Sequence, residues 1–164
     1  MSILEICQWI ENTAPAALVR ESAYGFQILV TAHLLGITLS VGTLLWFDLR
    51  LLGVALPRCG LEELYRALAP WFLGGFAVMF LSGAWLFAGY ATAAYGNTFF
   101  RIKLVMLLLA GLNALLYHRQ AARWSRALKL NARLPRSLRL SGSASIAFWA
   151  VVIFCGRMMS YTMF

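Results

Sequence analysis

The chain has 164 residues, of which 62% are hydrophobic and only 12% charged, with a mean hydropathy of +0.75. Soluble domains carry about a quarter of their residues charged, so this composition excludes an ordinary soluble domain and predicts an integral membrane protein. The net charge of +8 is concentrated in loops, which makes it an orientation signal and argues against a nucleic-acid partner.

The first stretch, residues 2–11, predicts a short helix capped by Ser2, with Glu5 at the capping-box spacing. Ile3, Ile6 and Ile10 fall on one face beside Trp9, a pattern suited to a helix lying in the membrane interface. The segment has no basic n-region and is interrupted by Glu5 and Glu11, which argues against a cleaved signal peptide. Thr13 and Pro15 start a second helical turn that is expected to run into the first span.

That span is placed at about 23–47, with helix continuing towards Gly53. Tyr24 to Phe47 holds no formal charge and is long enough to cross a hydrocarbon layer of ~30 Å. His33 lies inside it, and a buried imidazole costs free energy unless it has a partner. Pro57 to Gly60 breaks the chain, Leu61 to Leu68 reads as a short amphipathic piece, and Pro70 opens span two at about 70–90. Gly75, Ser82 and Gly89 on span two, and Ala32, Gly36 and Ser40 on span one, form small-residue seams that permit close helix approach. Two such seams exceed the needs of a four-helix bundle, and they predict a homo-oligomer.

Tyr90, Tyr95, Gly96 and Asn97 form the next turn; span three covers about 99–118 and span four about 142–158. The expected fold is therefore all-α: one transmembrane domain over 1–164, a four-helix bundle with a short interfacial N-terminal helix. The loop from Arg50 to Arg66 holds three basic residues, and Arg119 to Arg139 holds seven with no acid. The positive-inside rule puts both loops in the cytoplasm and both termini outside, in a bacterial inner membrane. The second loop should also meet anionic lipid head groups.

Chemistry-bearing residues are few. Cys7, Cys59 and Cys155 form no CxxC or CxxCH motif, so zinc ribbons, thioredoxin chemistry and covalent c-type haem are not indicated. His33 and His118 are the two histidines, and a neutral imidazole in a helix bundle suits axial ligation of haem b. The alternative is interhelical hydrogen bonding, for instance His33 to Asn113. Counted at ~1.5 Å per residue, His33 lies about 15 Å from the outer surface, Met79 about 16 Å and His118 about 27 Å. His33 and Met79 are thus level enough to share an iron, whereas His118 fits interface anchoring. A methionine there is otherwise core filler.

Arg101 and Lys103 stand in the first turn of span three, where the helix dipole disfavours cations. An anion is expected beside them: a haem propionate, a lipid phosphate, or Glu11 or Glu21. Asp48 and Arg50 are two apart and cannot face each other on a helix, so each needs a partner elsewhere. Cys155, Met158, Met159 and Met163 gather soft atoms at the end of span four, a possible copper site with Cys7.

Ser22, His33-x-x-Gly36, Asp48-Leu-Arg50-Leu-Leu-Gly53 and Asn97-x-x-Phe100-x-x-Lys103 resemble a family of small, largely uncharacterised bacterial four-span membrane proteins. More loosely, a histidine-bearing membrane bundle is similar to b-type cytochromes of the cytochrome b561 kind and to the copper-resistance membrane family. Those resemblances imply haem or copper at His33. The absence of two level histidine pairs separates the chain from two-haem transmembrane electron transfer. The expectation is a membrane haem protein for electron transfer or redox sensing, with a redox partner. Copper handling and a metal-free accessory subunit are the alternatives.

Overall fold

A computed structural model describes residues 2–56, 58–123 and 134–163. These form seven helices and no strand: α1 (Ile3–Glu11), α2 (Ala14–Glu21), α3 (Gly25–Leu52), α4 (Leu61–Gly89), α5 (Ala91–Gly96), α6 (Thr98–Arg123) and α7 (Arg136–Met163). Helices α3, α4, α6 and α7 are each long and apolar enough to cross a membrane. Most of their large apolar side chains face outward, as in Leu34, Leu35, Leu81, Leu108 and Phe154. Outward apolar faces on long helices require hydrocarbon around them, so the chain is a multi-pass membrane protein.

The four spans pack as two antiparallel pairs, α3 on α4 and α6 on α7, joined where α3 meets α7. Four of these small residues, Gly36 and Ser40 on α3 and Gly75 and Ser82 on α4, form the α3–α4 contact, whereas Gly89 packs on Val19 of α2 and Ala32 lines an outward face of α3. A Cβ on Gly36 would lie 2.6 Å from the Met79 backbone nitrogen, and one on Gly75 would lie 2.6 Å from that of Ser40. Only glycine permits backbones this close, and the gain is dispersion contact along both helices. Most of the small residues from which a homo-oligomer was expected are therefore used inside the chain and do not argue for one. Gly42, Gly74 and Gly111, which have open space around them, lie on three different helices.

Several boundaries differ from the sequence reading. Helix α2 does not run into α3: Ser22 is extended, and its side chain accepts from the Gly25 N–H at 3.1 Å as a new helix starts. The amphipathic piece Leu61–Leu68 is not separate from span two, because α4 continues through Pro70. An interior proline sacrifices one backbone hydrogen bond, and the flanking turns carry the helix across it, as membrane helices commonly allow. The supposed turn at 90–97 holds the short helix α5, whose Thr92 backbone N–H and hydroxyl are both held by the Glu11 carboxylate at 2.8 Å. The capping box at Ser2 and Glu5 is present in both directions. Gly53 closes α3 in the left-handed conformation, with φ of 78°.

Two apolar clusters fill the bundle. One, at the end bearing the α3–α4 loop, contains Phe47, Leu51, Leu61, Leu64 and Leu138. The other, nearer the middle, contains Met79, Ala110, Trp149 and Val152. The Arg139 guanidinium donates to the Leu52 carbonyl at 3.1 Å, so the start of α7 and the α3–α4 loop share one end of the bundle. Much of the basic run from Arg119 to Arg139, residues 124–133, lies outside the described residues.

Candidate functional site

The site is built where α3 crosses the terminal half of α4. His33 stands one helical turn from Gly36, on the face that meets α4, and its ring fills the notch left by Gly83. A Cβ on Gly83 would lie 2.9 Å from His33 Cε1. The ring's Nδ1 lies 2.8 Å from the Met79 carbonyl oxygen and 3.1 Å from Ser82 Oγ. A carbonyl oxygen can only accept, so Nδ1 carries the proton and donates it. The Ser82 hydroxyl hydrogen goes to the Val78 carbonyl at 2.6 Å, which leaves its oxygen free to share that donation. With the tautomer fixed in this way, Nε2 keeps its lone pair.

Lys103, on the second turn of α6, enters the same region. Its ammonium lies within Coulombic reach of His33 and of the buried thiol Cys155. It passes over Gly156, where a Cβ would be 3.7 Å from Nζ. Among the described residues it makes no hydrogen bond and no ion pair. Helices α3, α4, α6 and α7 thus contribute an imidazole, a hydroxyl, an ammonium and a thiol to one level of the membrane.

The other candidate residues are distributed differently. Met79 contributes its backbone oxygen to His33, while its thioether side chain packs in the central apolar cluster. Arg101 turns away from the interior. Its Nε donates to the Tyr95 carbonyl at 3.0 Å, and its guanidinium lies over the Tyr95 ring. The anion expected beside it is therefore a carbonyl and an aromatic face, and Glu11 is engaged with Thr92. His118 is exposed and sits edge-on to Tyr65 and Tyr117. Measured along α4 from Tyr65 to Met79, it is about 21 Å from the level of His33. The two rings do not come together within one chain.

Asn113 is not the partner of His33. Its amide donates to the Ser141 carbonyl at 2.9 Å and accepts from the Ser141 hydroxyl at 3.0 Å, tying α6 to α7 about 15 Å below Lys103. Asp48, 4% exposed, is hydrogen-bonded by Ser145, and the Arg50 Nε donates to the Cys59 carbonyl at 2.9 Å. Met158 and Met159 are half-buried at the end of α7. Cys7, the thiol expected to join them, lies on α1, which packs chiefly against α5 and α4. Among the described residues no three His, Cys, Asp or Glu side chains gather as a metal site, and all three cysteines are free.

Asn97 caps α6, its side-chain oxygen accepting from the Phe99 and Phe100 N–H groups at 2.9 and 3.3 Å. Its amide nitrogen donates to Thr162 at 2.7 Å, fixing the end of α7. Phe100 stacks on Phe87 of α4, with ring centroids 5.3 Å apart. Lys103 is thereby held at a set height and rotation. Residues 20–162 match the model of a family of unknown function, DUF6644. The chain belongs to this family. No curated protein matches it, and no solved structure does. The DUF6644 match runs from Arg20 to Thr162 and takes in every element of the site. Gly83 and Ser82 were the residues that sequence reading missed as a unit. Ser82 was seen only as one of a row of small residues, and the notch at Gly83 exists only once α3 lies across α4.

Proposed function

We propose that the chain is a membrane-bound b-type haem protein of the bacterial inner membrane. In this reading His33 is the axial ligand, and the role is electron transfer or redox sensing near the outer face. The observation that carries it is the donation from His33 Nδ1 to the Met79 carbonyl at 2.8 Å. Metal-bound histidines characteristically donate their second ring nitrogen to a carbonyl or carboxylate, which orients the ring and leaves the other nitrogen as ligand. The Lys103 ammonium, which has no hydrogen bond or ion pair among the described residues, supports the same reading, since a haem brings carboxylates and an ammonium in apolar surroundings needs an anion. Helices α4 and α6 meet mainly through side chains such as Phe87 and Phe100, and this seam is the one a flat group would part most easily. Once bound, haem supplies one-electron chemistry; the chain orients the imidazole, offers a counter-charge and excludes water.

Copper at Cys155, Met158 and Met159 is the weaker reading, because a bare cation beside Lys103 meets like charge. The loop end of the bundle carries the basic residues of both loops, so the cytoplasm lies on that side and both termini lie outside. An electron-transfer role implies a redox partner at the outer face.

The test is the absorption spectrum of protein purified from haem-replete cells, with metal analysis of the same sample. A Soret band with reducible α and β bands is expected. His33→Ala should lose it. His118→Ala should keep it, and Lys103→Met should weaken haem retention without changing axial ligation. A colourless, metal-free parent protein would refute the proposal and leave an accessory subunit.

A further inference from the structure

We infer that the terminal end of α3 holds one zwitterionic phospholipid in a fixed site. Two adjoining concavities carry this inference, and it does not rest on the haem reading. The first is a cleft of about 460 Å³ between α2, the start of α3 and Tyr90, lined among others by Arg20, Glu21, Ser22 and Gln27. It lies at the mouth of a span, the depth at which head groups sit. The second is a shallow, open groove of about 390 Å³ along the outer face of α3, lined by residues of that helix and its N-cap alone, Ile28, Thr31, Ala32 and Leu35 among them. The two meet at Gln27, which lines both.

The charge pattern selects the head group. Arg20 spends one N–H on the Gly89 carbonyl at 3.1 Å, and a guanidinium has five such donors. Its remaining donors suit a phosphate, for which Arg is well shaped. Glu21, beside it in the same cleft, repels a second negative charge but accepts from an ammonium. A cation and an anion side by side therefore match phosphate and ammonium in one ligand, as in phosphatidylethanolamine. The groove selects the tail. From Tyr24 to Leu35 it runs about 16 Å along α3, close to half of a ~30 Å hydrocarbon layer. One acyl chain crossing one leaflet fills that length.

The test is native mass spectrometry of the detergent-purified full chain, titrated with phosphatidylethanolamine, phosphatidylglycerol or phosphatidylcholine of identical acyl chains. One phosphatidylethanolamine should be retained per chain, about tenfold more tightly than phosphatidylglycerol, the factor that ~1.4 kcal/mol represents. Phosphatidylcholine, which keeps the positive charge but has no N–H donors, should fall between them. Glu21→Gln should abolish the preference over phosphatidylglycerol, and Thr31→Phe should weaken all three lipids by filling the groove. Both residues are exposed, and folding is checked by helical circular dichroism in lipid-free detergent. Equal retention of the three lipids by the parent protein, a comparison needing no variant, would overturn the inference. So would a preference that survives Glu21→Gln, or stoichiometric displacement of the phospholipid by a short-tailed quinone.

Discussion

Replacing Gly36 with Ala should unseat His33 without touching it. A Cβ at that position would lie 2.6 Å from the Met79 nitrogen, 2.9 Å from the Gly75 oxygen and 3.0 Å from the Met79 Cα. All three are backbone atoms, so no rotamer change relieves the clash. Ordinary contact begins near 3.4 Å, and α4 must therefore retreat from α3 by about 0.8 Å at this level. The Met79 carbonyl retreats with it, and a His33 Nδ1 hydrogen bond of 2.8 Å would stretch to about 3.6 Å, past the limit of a real bond. Overpacking of this kind costs about 1–3 kcal/mol and the lost bond about 0.5–1.5 kcal/mol. Alanine's better helix propensity returns about 1 kcal/mol. The net expectation is a loss of about 0.5–3.5 kcal/mol in denaturant titration in detergent. The His33 ¹⁵N shifts should also change from a single Nδ1-protonated tautomer to a mixture. Gly42→Ala, on the same helix with nothing within 4 Å, is the control and should leave both readouts unchanged or slightly improved. Parent-like stability and an unchanged tautomer in Gly36→Ala would refute the close-packing argument and the linkage between glycine and histidine.

Asn113→Leu should cost about 1–2 kcal/mol in the same titration, because it removes two interhelical bonds to Ser141 that are worth about 0.6 kcal/mol or more each in membrane bundles. A variant as stable as the parent would mean that Ser141 finds another partner. Ser2→Ala should accelerate amide exchange across α1 alone, since it breaks the reciprocal cap with Glu5 at a cost of about 1 kcal/mol; exchange in the spans should not change. Reporter fusions at Arg133 and at Phe164 should report opposite sides of the membrane, with Arg133 cytoplasmic. Finding both on one side would overturn the four-span topology.

Span number and approximate position were legible because hydrophobic length is a one-dimensional property. A run from Tyr24 to Phe47 with no charge has no alternative but burial in lipid. The first cap was legible for the same reason: Ser2 and Glu5 act within three residues of each other. What could not be read was which residues meet across helices. Gly75 and Gly36 were recognised as small, but whether they face one another or a second copy depends on the rotation of each helix about its axis. Sequence spacing does not record that rotation when apolar residues surround the helix on all sides. His33 was singled out correctly as a polar group needing a partner. The partner proved to be a backbone carbonyl, a group present at every position and so invisible to pattern reading. Pro70 misled for a related reason, since a rule drawn from helices in water overstates the cost of proline where neighbouring turns carry the helix on.

The two halves of the bundle differ in how completely their polar groups are satisfied. Near the loop end, Asp48 has Ser145, Arg50 has the Cys59 carbonyl, Asn113 has Ser141 and Arg139 has the Leu52 carbonyl. Each pairing joins two elements and needs nothing added, which is how polar groups act as structural ties inside a membrane. Near the terminal end the accounts do not close within the described residues. His33 uses one ring nitrogen and leaves the other with its lone pair, while Lys103 has neither hydrogen bond nor ion pair. Leaving a cation uncompensated among apolar helices costs far more than replacing it with leucine would. A structural role could have been met more cheaply at both positions. The geometry that holds Lys103 in place, with Asn97 capping its helix and Phe100 stacked on Phe87, is well determined, so the ammonium is not there by loose default. A ligand that donates negative charge to Lys103 and accepts the lone pair of His33 closes both accounts at once. For that reason the search for function should begin with what co-purifies at the terminal half, and not with the better-charged loop end.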